Sequence, residues 1–154
     1  MKKITILLVI IFTFLFSTTS WGEWSYVTDN VDGVRVYYDK DRVRKSGKYL
    51  YFWELGDYIK PSPHGDLSVT QYIQLDCSIF RYKSLKFQTY NKSMGEGKMR
   101  IDGEPEDKWS YPKPETVSEF TYNKVCEEHQ KNYVSLDVKK REVIYYGKRD
   151  GKSS

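Results

Sequence analysis

The stretch "LSVTQYIQLDCSIFRYKSLKF", residues 67–87, decides the fold. Val69, Ile73, Leu75, Cys77 and Ile79 fall on one face of an extended chain, and Ser68, Thr70, Tyr72, Gln74 and Asp76 fall on the other. Apolar and polar positions alternating with a period of two predict a half-buried strand, with Cys77 pointing inward among the apolar set. The chain is expected to continue through "SLKFQTY" (84–90), cross "NKSMGEG" and return in "KMRID" (98–102).

Upstream, the aromatic density of "YLYFWELGDY" (49–58) marks another strand. Before it, "VRVYYD" alternates Val34, Val36 and Tyr38 with Arg35 and Tyr37. The turn signal "NVDG" joins it to "EWSYVTD" (23–29) in a hairpin. The polar segment 39–48 reads as a connection, and "KPSPHGD" (60–66) as a break. Downstream the period changes. "PETVSEFTYNKVC" places Thr116 and Glu119 at capping-box spacing, predicting a helix to about Glu128 with an apolar stripe starting at Val117 and Phe120. Cys126 falls far round from Val117 on an ideal helix, so the helix end is expected to bend. Consecutive strands followed by one helix predict an α+β domain: a curved antiparallel sheet of about five to six strands with one C-terminal helix packed on it. One helix leaves a sheet face uncovered, with Tyr37, Tyr51, Tyr72 and Tyr90 as outward residues. That face either curls into a half-barrel or meets a partner, a homodimer being one such outcome.

The first 22 of the 154 residues stand apart. Lys2 and Lys3 precede an apolar run, and Ser20, Trp21 and Gly22 give a small-x-small cleavage pattern, so a signal peptide cut before Glu23 is expected. The run is shorter than a membrane-spanning helix requires. No cysteine lies near the cut to take a lipid, so no stable membrane anchor is expected and the protein should be free in the exported compartment. Residues 23–130 then form the domain and residues 131–154 a polar extension, in which "EVIYYG" has the pattern of an edge strand. Loss of Lys2 and Lys3 leaves 23 basic side chains against 21 acidic ones, a near balance that argues against nucleic acid as a partner.

Only two cysteines are present, Cys77 and Cys126. An even pair in an oxidising compartment is most simply a disulfide, here tying helix to sheet. A cysteine nucleophile needs a histidine base, and only His64 and His129 exist. A structural zinc site wants four ligands, and the spacings C-x48-C and C-x2-H match no compact zinc module. Asp39 with Asp41, Glu104 with Glu106 and Asp107, and His64 with Asp66 lie on expected loops without the pattern of a calcium loop or an acid–base pair. No catalytic residue, metal or cofactor is expected, and the chain reads as non-enzymatic. The best binding candidate is the basic, aromatic strip Arg81, Tyr82, Lys83, Lys86, Phe87, Tyr90 and Lys92, suited to an acidic protein surface or a glycan. A second basic cluster, "KKREVIYYGKR" (139–149), reads as an edge strand guarded by lysines.

These motifs together resemble the surface-adhesin protein E family of exported Gram-negative proteins. The residues that carry the resemblance are Glu23 and Trp24, "GVRVYYD" (33–39), "YFWELGDYIKP" (51–61), "LDCSIFRYKSL" (75–85), "SMGEGK" (93–98), Trp109 and "YPKPETVSEFTYNKVC" (111–126), in that order. The resemblance implies a curved antiparallel sheet carrying a helix. For the family's namesake it implies adhesion to host extracellular proteins. The expected partner is therefore a protein, either of the host matrix or of the bacterial envelope, and the expected location is periplasmic by default, with secretion or the cell surface as the other outcomes. The alternative function is a periplasmic envelope protein that inhibits or assists another envelope component.

Overall fold

The computed structural model describes residues 23–105 and 107–130. The segment expected to be a signal peptide, Glu106, the extension after Gln130 and its basic cluster lie outside the described residues. Seven antiparallel strands, β1 (Trp24–Asp29), β2 (Val34–Asp39), β3 (Arg44–Ser46), β4 (Tyr49–Tyr58), β5 (Ser68–Asp76), β6 (Arg81–Tyr90) and β7 (Met99–Gly103), precede one helix, α1 (Val117–His129). They form one open sheet in the order β1-β2-β4-β5-β6-β7. The ten-residue β4 is long enough to serve two neighbours. Its C-terminal half pairs with β2 and its N-terminal half with β3, a short strand inside the segment expected to be a connection.

The α+β class, the antiparallel sheet, the single C-terminal helix and the disulfide all stand as expected. One boundary does not. β5 ends at Asp76 instead of running through Cys77 to Tyr82, because the Asp76 carboxylate accepts hydrogen bonds from the backbone N–H and the hydroxyl of Ser78 and nucleates a turn. The chain reverses over residues 77–80, with Phe80 in the left-handed region at φ +48°. Alternation therefore stops. Ile79, expected inward, is exposed, and Phe80 takes the buried place, while Cys77 is buried as expected but at the hairpin turn.

Directly paired residues of an antiparallel sheet share a face. Val36, Tyr38, Leu50, Phe52, Ile73, Leu75 and Tyr82 share the inner face, and all but the half-buried Tyr82 are buried, with Tyr122, Val125 and Cys126 of α1 packed among them. The Tyr122 ring lies 5.9 Å from Phe52 and 4.8 Å from Tyr82. Each large apolar side chain so removed from water contributes about 1.5–3 kcal/mol before entropy is counted.

The helix begins where its cap predicts. Thr116 Oγ1 accepts the Glu119 N–H at 3.4 Å, and the Glu119 carboxylate reaches back to the Glu115 N–H at 2.9 Å. Phe120 is exposed, and the buried stripe runs through Glu119, Tyr122, Val125 and Cys126 instead of starting at Val117. On that stripe Cys126 faces the sheet from an unbroken helix, and no bend is needed. The disulfide joins Cys77 to Cys126 with Cα atoms 5.9 Å apart, linking the β5–β6 turn to the last turns of α1.

Candidate functional site: the outer face of the sheet

The face turned away from α1 is lined with aromatic rings. Tyr49, Tyr51 and Trp53 follow one another at every second residue of β4, and the register sets Tyr51 beside Gln74, Trp53 beside Tyr72, and Tyr72 beside Lys86. The Trp53 and Tyr72 rings are 5.0 Å apart, and Tyr51 is 6.3 Å from Tyr72. Tyr37 packs edge-on against Tyr26 at 5.6 Å on the same face. Tyr37, Tyr51, Tyr72 and Tyr90 are thus all outward, as expected.

Two loops bound this tract. At one end, residues 91–98 fold over the sheet through a 3-10 turn, Ser93–Gly95. The Met94 N–H donates to Asp57 at 2.7 Å, the Gly95 N–H to the Ser68 hydroxyl at 2.9 Å, and that hydroxyl donates to the Lys92 carbonyl at 2.6 Å. The flap buries Leu55, Asp57, Ser68 and Thr70, all outer-face residues. A Cβ on Gly95 would lie 3.4 Å from Thr70, and its φ of +73° suits glycine. At the other end, Ser110 pairs with Tyr82 through two backbone hydrogen bonds of 2.8 Å. This bridge sets the preceding residue, Trp109, on the outer face, where it stacks on Tyr49 at 5.6 Å.

Cations edge the tract. Arg81 lies 4.2 Å and Lys83 5.0 Å from the Trp109 ring centroid, and Lys48 5.2 Å from that of Tyr49. Lys83 is ion-paired with Asp107, and Lys86 with Asp102 at 3.0 Å. Lys86 beside Asp102 holds that carboxyl below its ordinary range. Asp76 is fully buried and serves two cations, Lys48 at 3.0 Å and Arg81 at 3.5 Å. Burial alone would raise its pKa, but hydrogen bonds from Ser78 and Lys48 outweigh burial and lower it.

The strip read from the sequence is therefore divided by the pleat. Arg81, Lys83, Lys86 and Tyr90 are outward, and a bulge at Leu85 keeps Lys86 on the same face as Lys83. Tyr82 turns inward onto Tyr122, and Phe87 turns inward over Gly103, where a Cβ would come within 2.4 Å of its ring. Lys92 lies beyond the strand end, in the flap. Tyr49, Trp53 and Trp109 join the site without being candidates from the sequence. The first two follow from the alternation in 49–53 once the inner face is fixed, whereas Trp109 is placed by a single backbone bridge that no sequence pattern announces. Asp39 forms a turn, accepting the Arg42 N–H at 3.1 Å, and Asp66 serves as a tie, 3.5 Å from Arg100. Among the described residues no group of three or more His, Cys, Asp or Glu is arranged to hold a metal.

An open antiparallel sheet, one face closed by a disulfide-tied helix and the other left as an aromatic tract, defines an open-faced α+β domain. Residues 24–127 match the family described as surface-adhesin protein E, and the chain belongs to that family. Solved structures of Haemophilus influenzae protein E share the fold. One is 18% identical with a TM-score of 0.54, covering 77% of this chain and 93% of that one. Its crystal form II is 18% identical with a TM-score of 0.53, covering 75% and 94%. No curated protein matches the sequence. Among the described residues no helix is long and apolar enough to cross a membrane.

Proposed function

We propose that this protein is an exported, non-enzymatic, adhesin-like module that binds a host extracellular protein through the outer face of its sheet. Membership of a surface-adhesin family supports the adhesive role. The observation that carries the choice of face is the outward row of Arg81, Lys83 and Lys86, held in place beside Trp109 and Tyr72 by ion pairs and ring contacts. Fixed cations beside rigid aromatic rings are the composition of energetic anchors at protein interfaces. The double variant Lys83→Glu, Lys86→Glu is expected to weaken capture of immobilised extracellular-matrix proteins at least tenfold, mainly through slower association. Unchanged capture by a folded variant would remove the strip from the interface. The alternative, a periplasmic partner of another envelope component, is separated by protease treatment of intact cells: protection of the protein until the outer membrane is opened favours it.

A further inference from the structure

We infer that the outer face holds an acidic polysaccharide, a linear chain bearing uronate groups, along the tract Trp109, Tyr49, Tyr51, Trp53 and Tyr72. The inference rests on the preceding reading only in using the same face.

Three observations select this occupant. The first is shape. Tyr49, Tyr51 and Trp53 succeed one another along β4 at two-residue intervals, about 7 Å apart at the rise of an antiparallel strand. Trp109 extends the row beyond Tyr49, and Tyr72 widens it beside Trp53. The result is a strip between the 91–98 flap and the Trp109 arm, suited to an extended chain.

The second is chemistry. The side chains in this strip are ring systems with hydroxyl or indole N–H groups, interleaved with the Gln74 amide, and no aliphatic side chain stands among them. A pyranose ring offers an apolar C–H face to an aromatic ring and hydroxyls to the groups around it, and rings with a polar edge meet both demands. Each ring is already held by a neighbouring ring or a cation, so little side-chain freedom is lost on binding.

The third is charge. Four cations, Arg44, Lys48, Arg81 and Lys83, border the Trp109 end, and among the described residues two carboxylates, Asp76 and Asp107, pair with three of them. Arg44 stands beside Tyr51 in the register and has no carboxylate partner among the described residues. Asp39 is matched by Arg42, and Asp102 by Lys86, so the surplus stays at this end. A neutral glycan would leave that surplus unused, whereas a uronate chain presents a carboxylate at regular intervals beside its sugar rings.

The test is binding of the full chain to hyaluronan oligosaccharides by calorimetry, with chondroitin sulfate as a second uronate chain, dextran as the neutral chain and polyglutamate as an anion without sugar rings. Saturable binding to a uronate chain, absent for dextran and polyglutamate, is expected. Trp53→Ala and Arg81→Gln should each weaken it about tenfold, with Trp53→Phe restoring most of the loss. Circular dichroism of each variant separates lost contact from lost fold. Failure of both uronate chains to bind would overturn the inference, as would equal binding to polyglutamate unaffected by Trp53→Ala. Light scattering that finds a dimer which uronate chains do not dissociate would assign the tract to a second copy instead. Matrix-protein capture lost in the Lys83→Glu, Lys86→Glu variant while no glycan binds would sink this inference alone, leaving the protein-binding reading standing.

Discussion

Glu54 is a carboxylic acid set on the inner face of the sheet, between Tyr38 and Gln71. Its Oε2 has no solvent contact and no hydrogen-bond partner, and burial pushes its carboxyl up to about 7. Its field also helps to raise the nearby Tyr82 and Tyr122 hydroxyls, for which burial is the larger cause. An acid whose folded pKa is raised holds a proton that the unfolded chain has released. From the ordinary value of 4.5 up to about 7, stability therefore falls as pH rises. Below that window the group is protonated in both states and contributes no slope; above it the buried charge costs its full amount. Glu54→Gln should flatten urea-denaturation stability across pH 4 to 8 and exceed the parent above pH 7 by about 1–3 kcal/mol. A parent whose stability rises from pH 5 to 7 as steeply as the variant's would refute this.

At the scale of elements, the 91–98 flap shows how a polar loop can close part of a sheet. Its register is set by Asp57 and Ser68, which satisfy the Met94 and Gly95 amides at a place where Met94 adopts φ +58°. Asp57→Ala leaves a backbone donor without its acceptor and should cost about 1–3 kcal/mol. Hydrogen exchange should show the Met94 and Gly95 amides opening, while those of central β5 keep their protection. The same loop shows where the sequence was silent. "SMGEGK" was legible as part of the family resemblance, but its place over Leu55 and Thr70 depends on contacts between residues far apart in the chain. By contrast, β4 and the inner and outer tyrosines were legible because alternation is a local property. The turn at residues 77–80 was missed because "CSIF" carries neither Gly nor Pro; the signal lay in Asp76 and Ser78, which form the turn with their side chains. In composition the strip at 81–92 looks like one surface, because a bulge and a pleat are not visible there.

For the whole molecule, the disulfide is the covalent constraint on the fold. It closes a loop between positions 49 apart in sequence, and in the chain-entropy account such a closure contributes about 4 kcal/mol. The double variant Cys77→Ala, Cys126→Ala should melt about 15–25 °C lower than the oxidised protein, as should the wild-type chain under a strong reductant. Equal melting temperatures with and without reductant would show that packing of Tyr122 and Val125 alone suffices. The open outer face and the closed inner face also divide roles: stability is concentrated between α1 and the sheet, so outer-face substitutions such as those at Trp53 or Lys83 should test the proposed binding with small effects on folding.

That closed loop bears on how the protein responds to a pull. With Cys77 bonded to Cys126, the 49 intervening steps of chain, about 170 Å of contour, cannot be drawn out by tension applied at the two ends. Arg81, Lys83 and Trp109 all lie within that sequestered segment. Under tension at the two ends, β1 or β2 can peel away and lengthen the chain while the segment carrying these residues stays short, so the disulfide acts as a mechanical stop behind the face proposed to bind.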